Sequence, residues 1–462
     1  MTDKPYINPH LSEKPLKIHR LLDRFFHLHN RGTTAGREMV AGMTTFAAMS
    51  YIVVVNPMIL SSTGMDKQGL LLATVVSAVV GTLIMALWAN LPIALAPGMG
   101  TNIVFAQILV GQMGVSWQTG LTMVFLNAVI FLALSLTRWR ERIVAAFPEP
   151  IKLGMQCSIG AFVAYLGLKS AGLVVALPGS IAGLGNLGDH AALLALGGIV
   201  ATPMLVGRRV PGALLLSIIA ITVAGSFIHG ADGKVLTVWP EHLVAMPAFK
   251  TDLIGAFDFH EFLSKFYLLL PVTLYFLLSE FFAGTATLFG VTRRANLLTA
   301  SGNLPDARAA FASDALASVI GAAVGTSTVT AYVESVAGVE AGGRTGLTGV
   351  TVAALFALSI FLAPLITIVP VQATAPVLVL VGLLMMEGLR EIDLSRLETS
   401  LPPLLMTLVT VLTTDLMVGM AFGCFAYTLI AAALRRPQKV TAAVLALDAV
   451  FVLYLVLRNS IN

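Results

Sequence analysis

Charge is scarce in this chain. Asp, Glu, Lys and Arg make up 11% of its 462 residues, under half the roughly 25% typical of a soluble domain, which argues against an ordinary water-soluble fold. Cysteine is scarcer still. Cys157 and Cys424 both lie inside apolar runs, so core packing is expected of them, and neither a disulfide framework nor a cysteine metal centre organises the fold. GxSxG, HExxH, Walker A and CxxC sequences are absent, and no histidine stands mid-run beside a Ser or Asp. Hydrolytic and metal chemistry therefore have no residues to rest on, and neither a metal nor a cofactor is expected. The net charge of +4 calls for no nucleic acid.

What is present is apolar: 57% of residues, with mean hydropathy +0.88. The runs are long and do not alternate as barrel strands would, so the fold class read here is an all-α polytopic membrane protein. Residues 1–37 form a polar tail holding His10, His19, His27 and His29, whose spacing fits no common metal pattern, and no cleavable signal peptide is read there. A spanning helix takes about 20 apolar residues. Candidate spans are 38–60, 68–90, 94–110, 117–137, 153–176, 189–207, 210–229, 264–290, 309–325, 327–340, 345–366, 370–388, 400–414 and 416–434. A further apolar stretch, 440–457, contains Asp448 and reads equally as an extra span or an interfacial helix.

Basic residues collect in cytoplasmic loops. With the N-terminus inside, the inner loops carry Arg138, Arg140 and Arg142, then Arg208 and Arg209, Arg293 and Arg294, Arg390 and Arg396, and Arg435, Arg436 and Lys439. The loops assigned to the outside are poor in Lys and Arg apart from Lys67, Arg344 and a few within 231–262. This supports about fourteen spans in two halves of seven. An odd number per half makes the halves inverted. The two short spans interrupted by Gly or Pro, 94–110 and 327–340, are third in each half, the best sequence pointer to a transport site near the midplane.

The residues that carry chemistry sit in those segments. Glu334 follows Thr326, Ser327 and Thr328 in an otherwise uncharged stretch, and Thr330 lies between them. A carboxylate inside a membrane is costly and usually functional; the alternative is polar glue between helices. Broken backbone is tolerated only where it lines a cavity or is buried in protein. In ALAPGMGTNIVFAQ (94–107), Pro97, Gly98 and Gly100 break the helix, and Asn102 offers a donor and an acceptor, or else an N-cap. In YFLLSEFFAGTATLFGVT (275–292), Glu280 is the lone charge. It reads as a substrate or proton ligand, with a buried pair to Lys169 as the structural alternative. A desolvated carboxylate with no cation beside it suits proton coupling. Asp314 reads as a support for the second broken span or a proton relay, and Asp415 as a helix cap. Asn56-Pro57 reads as a kink or helix end, with cavity lining as the alternative. Phe281 and Phe105 are candidates to stack on a planar ligand.

Four motifs in order, GMTTFAAMSYIVVVNPMIL, ALAPGMGTN, GTSTVTAYVES and AGGRTGLT, resemble the AzgA-like purine permeases of the nucleobase–cation symporter group. The similarity runs from about residue 35 to 435. The resemblance implies a core domain (38–137 and 264–366) and a gate domain (153–229 and 370–434). It also implies short antiparallel strands ahead of the two half-helices, and in related transporters dimers form through the gate. It assigns substrate contact to Glu334, Asn102, Gly100 and, at the acidic position of the eighth span, Glu280. The chain departs from the family's F-D-T/S-x-G-T, reading Phe282-Ala283-Gly284-Thr285-Ala286-Thr287, and has GMGTN with Thr101 in place of GMGLN. The function implied is proton-coupled import of adenine, guanine or hypoxanthine across the inner membrane of a bacterial cell. Partners would be the base, protons, lipid and a second copy of the chain. Carriage of a xanthine- or uracil-like base or of an anion by the same fold is the alternative. A membrane-embedded enzyme is a third reading.

Overall fold

The computed structural model describes residues 17–137, 146–177, 180–230, 233–246, 251–299, 303–436 and 440–461. His10, the arginines at 138, 140 and 142, and Lys439 lie outside them. The first half holds α1 (Lys17–Phe26), α2 (Ala35–Met49), α3 (Ile52–Ser61) and α4 (Lys67–Ile84, continued as π turns to Ala89). Strand β1 (Leu95–Pro97) then leads into α5 (Met99–Ile103), which continues as a π segment, Val104–Gln112, before α6 (Trp117–Ser135). Next come α7 (Glu149–Ser170), the hairpin β2 (Val174–Leu177) and β3 (Ser180–Leu184), α8 (His190–Gly207) and α9 (Ala213–Gly225).

The second half holds α10 (Phe259–Ser264), α11 (Phe266–Arg294), α12 (Ala307–Val324), β4 (Val329–Ala331) and α13 (Ser335–Glu340). It continues with α14 (Gly346–Ser359), α15 (Ala363–Thr367), α16 (Val371–Met385), α17 (Leu397–Thr413), α18 (Leu416–Ala433) and α19 (Ala442–Ile461). Among the described residues, ten helices or helix pairs are long and apolar enough to cross a membrane; Ala213–Gly225, Leu397–Thr413 and Ala442–Val456 are shorter apolar helices. The chain is thus a mostly helical, multi-pass membrane protein.

Local chemistry explains the breaks. Residues 35–61 divide at Ser50–Tyr51. Pro57 has no N–H to return to Val53, and the turn before it closes with the tighter bonds Val53 N→Ser50 O and Val54 N→Tyr51 O, both 3.1 Å. Pro97 and Gly98 stop helix formation ahead of α5, and the left-handed Gly325 ends α12 (φ 96°). Asp415 caps α18 as expected, accepting from Met417 N at 2.9 Å and Val418 N at 3.1 Å.

β1 and β4 pair antiparallel with Leu95 opposite Ala331, Ala96 opposite Thr330 and Pro97 opposite Val329. Flanking bonds Gly98 N→Thr328 O (2.8 Å) and Tyr332 N→Ala94 O (3.0 Å) fix this register. The two short spans therefore meet through their strands. Small residues let helices close up around them, as apolar surroundings require. A Cβ on Gly160 of α7 would come within 2.6 Å of Gly382 O of α16.

Arg344 is corrected by the structure. Its backbone N donates to the fully buried Glu38 of α2 at 2.8 Å, and Arg31 reaches its carbonyl at 3.2 Å. It therefore lies on the side of the N-terminal helix, and one exception to the charge rule disappears. The β2–β3 hairpin is a second difference: residues 174–176, read as the end of a span, turn instead into a strand.

Candidate functional site

α11 and α12 run against one another, and two rungs join them. Glu280 and Gly284 are four residues apart on α11; Asp314 and Ser318 are four apart on α12, so each pair shares a helix face. Ser318 Oγ lies 2.6 Å from Glu280 Oε1. A Cβ on Gly284 would come within 2.5 Å of Asp314 Oδ2. Glycine at 284 is what admits the Asp314 carboxylate.

The α12 face also closes the outer edge of β4. Val329 sits opposite Pro97 in a pair whose N–H and C=O groups point away from the partner strand. Ser318 Oγ takes up both, at 3.1 Å from Val329 N and 2.6 Å from Val329 O. Asp314 Oδ1 accepts from Ala331 N at 2.9 Å. Side chains of a helix thus replace a missing third strand, which answers the cost of leaving backbone groups unpaired in a dry interior. β1 has the same device: Thr82 Oγ1 of α4 accepts from Leu95 N at 2.9 Å and donates to Leu95 O at 3.0 Å.

Glu280 and Thr330 each bring a buried side-chain oxygen to this region that has no hydrogen-bond partner among the described residues. Glu280 is 3% exposed, and its Oε2 has no partner among the described residues. Thr330 Oγ1, at the centre of β4, is also buried without one, and it faces Gly284, 3.7 Å from where a Cβ would stand. No ion pair among the described residues involves Glu280; Lys169 is exposed in the last turn of α7, so the buried pair considered from sequence is not formed.

Glu334 lies past β4 at the start of α13, half-buried, with Tyr51 Oη donating to its Oε1 at 2.7 Å. Tyr332 Oη bonds Pro97 O at 2.5 Å, tying the end of one strand to the other. Asn102 is fully buried within a polar network. Its amide donates to Asn56 Oδ1, and its own Oδ1 accepts from Ser327 Oγ. Asn56 in turn donates to Thr74 Oγ1 (2.7 Å) and Thr326 Oγ1 (3.1 Å). Asn102 therefore stitches α3, α5 and the approach to β4 together, and Gly98, not Asn102, is the N-cap of α5.

Gly100 faces α7: a Cβ there would come within 2.6 Å of Ile159 Cδ1. Both aromatic candidates pack on α6. Phe281 packs on Phe131 of α6, ring centroids 4.8 Å apart, and Phe105 lies against Gly120 of the same helix. Ala283, where the family motif expects Asp, is exposed, whereas Glu280 and Gly284 are buried. Sequence reading missed Ser318, Thr82, Tyr51 and Tyr332. Only Ser318 carried a signal, its four-residue spacing from Asp314.

A family model described as "Permease family" (Xan_ur_permease) matches residues 36–422. The chain belongs to the xanthine/uracil permease family. Within that family, adenine permease AdeQ of Escherichia coli is 37% identical over 94% of this chain and 96% of its own length. Guanine/hypoxanthine permease PbuO of Bacillus subtilis is 36% identical over 93% and 99%. The nucleobase transporter PlAzg2 of Paenibacillus larvae is 30% identical over 85% and 77%. The AzgA-like resemblance is thereby established, and this is a nucleobase permease family member, a transport protein and not an enzyme. Among solved structures, the transmembrane domain of the cyanobacterial bicarbonate transporter BicA superimposes with a TM-score of 0.57 at 17% identity, over 83% of this chain and 96% of that one. SLC26A9 gives 0.54 at 12%, over 85% and 65%. These share the fold.

Proposed function

We propose that this protein imports a purine nucleobase (adenine, guanine or hypoxanthine) together with protons across the inner membrane, its N-terminus cytoplasmic. The observation that carries the reading is the pair of unsatisfied buried groups, Glu280 Oε2 and Thr330 Oγ1, beside a strand pair. Buried polar groups are otherwise bonded, and a purine's ring N–H and exocyclic amino groups are the complement a carboxylate needs. Glu334 is the second carboxylate of the site. Glu280, deep and in no ion pair among the described residues, carries the coupling proton, with Asp314 holding β4 beside it. Asn102, Gly100, Phe105 and Phe281 act behind this contact by shaping α5 and α11.

The same reading takes 38–137 and 264–366 as the core domain and 153–229 and 370–434 as the gate. The chain would cross fourteen times in two inverted halves, with 440–457 an added helix. The matched devices Thr82–Leu95 and Ser318–Val329, in the second span of each half (68–90 and 309–325), support that repeat. A homodimer through the gate fits the related transporters. Anion carriage, the activity in the name of BicA, is disfavoured here by two carboxylates where an anion would sit.

The test is competition in a bacterial strain lacking its own purine permeases. Radiolabelled hypoxanthine uptake is followed against excess adenine, guanine, xanthine, uracil and sulfate, with and without a protonophore. Inhibition by one or two purines and collapse with the protonophore are expected. Purine-insensitive uptake, or none, would overturn the assignment.

A further inference from the structure

Ser318 stands between a carboxyl group and a backbone edge, and it has one hydrogen to give. Its Oγ lies 2.6 Å from Glu280 Oε1 and 2.6 Å from Val329 O, and it accepts from Val329 N at 3.1 Å. A hydroxyl is one donor and two acceptors. With Val329 N–H in one acceptor position, the hydroxyl hydrogen points either to Glu280 or to Val329 O. When Glu280 is ionised it only accepts, so the hydrogen goes to the carboxylate and Val329 O loses its donor. When Glu280 is protonated it can donate to the second lone pair of Oγ, which frees the hydroxyl hydrogen for Val329 O. Among the described residues no other donor reaches Val329 O, because its strand partner is Pro97, which has no N–H, and the pair points its groups outward.

We propose that Ser318 is a positioning residue that converts the protonation state of Glu280 into the hydrogen-bonding state of β4, the strand that presents Thr330. The inference rests on the reading of Glu280 as proton carrier and adds the route by which that proton reaches the ligand strand. Thr82 marks what is special about it. Thr82 serves Leu95 of β1 with the same two bonds, yet among the described residues no carboxyl is bonded to its Oγ1 to compete for its hydrogen. One half of the strand pair is therefore fixed and the other is switchable.

The charged and titratable groups around Glu280 are few. α12 brings Asp314, engaged with Ala331 N. The turn after β4 brings Tyr332 and Glu334, bonded to Pro97 O and Tyr51 Oη. From α7, Lys152 Nζ lies 5.8 Å from the Phe282 ring centroid. α19 carries Asp448, bonded to Thr428 at 2.6 Å, and α10 carries His260 and Glu261. α6 and β4 carry none.

The test is an infrared pH titration of the purified full-length protein, which needs no purine and so stands or falls apart from the uptake assay. The carbonyl stretch of protonated Glu280 is the band that Glu280→Gln removes. Ser318→Ala takes the donor from the ionised form, so the midpoint of that band is expected to rise by about one pH unit. Ser318→Thr is expected to restore it, and Thr82→Ala to leave it in place. A midpoint unmoved by Ser318→Ala, an equal shift in Thr82→Ala, or the absence of a titrating Glu280 band overturns the inference. Should Ser318→Ala not fold, Ser318→Cys, with a weaker donor, is expected to shift the midpoint in the same direction, and no shift there is equally fatal.

Discussion

At the scale of single residues, the proposed site rests on two carboxylates, neither of which is in an ion pair among the described residues. Glu334 keeps one bond from Tyr51, and Glu280 keeps one from Ser318. Glu334→Gln preserves shape but replaces an acceptor with an amide, so uptake is expected to fall at least a hundredfold while membrane abundance is unchanged. Radiolabel uptake beside an immunoblot checks this, and wild-type uptake would remove Glu334 from the site. Glu280→Gln is expected to abolish transport or to leave a residual rate with no pH dependence; uptake with the normal pH profile would place the proton elsewhere. Gly284→Ala tests the α11–α12 rung. Its methyl would stand 2.5 Å from Asp314 Oδ2, so the Ala331 bond is strained and stability falls by about 1–3 kcal/mol, read as a lower melting temperature in detergent.

Elements are joined by carboxylate acceptors that gather several donors. Glu38 of α2 takes Arg344 N, Thr345 N (3.1 Å) and Thr348 Oγ1 (2.6 Å), which pins the turn between α13 and α14. At the other end of the molecule, Glu261 of α10 takes Thr119 Oγ1 (2.6 Å), Ser116 Oγ and Lys265 Nζ (2.7 Å). Burial alone would push that carboxyl up, but the bonds from Lys265, Ser116 and Thr119 outweigh it and hold Glu261 at about 2. A carboxyl held below its ordinary value stabilises the fold fully above that value, and the stabilisation is lost as pH falls. Glu261→Gln is therefore expected to cost about 1 kcal/mol at neutral pH. The melting-temperature gap to wild type should close as pH falls from 4.5 toward 2. A gap independent of pH would mean the carboxylate charge plays no part.

For the whole molecule, contacts sort the loops onto two sides. Arg344, Glu38 and Arg31 meet on one; Lys67 reaches Thr367 O (3.0 Å), and Gly255 N reaches Ala323 O (2.8 Å), on the other. Cys157 and Cys424 are buried, so the native background for thiol labelling is low. In intact cells, a membrane-impermeant thiol reagent is expected to label Glu241→Cys but not Arg208→Cys, which should react only after permeabilisation. The reverse pattern would invert the proposed orientation.

The sequence by itself determined the multi-pass membrane class, the two interrupted segments and the family, because apolar run length and loop charge are local properties that the bilayer reads directly. It also marked Glu280 and Glu334, since an isolated carboxylate in an apolar run is conspicuous on its own. Tertiary structure alone decided what those carboxylates touch. Ser318 and Thr82 look like ordinary helix hydroxyls in the sequence. Their work depends on the free edges of β1 and β4 lying against them, across 11 residues for Ser318 and 13 for Thr82. It likewise set Asn102, read as a ligand or a helix cap, in a buried polar network and turned Phe281 onto Phe131, because side-chain direction around a helix and the neighbour it meets are set by packing between distant segments, which no local pattern encodes.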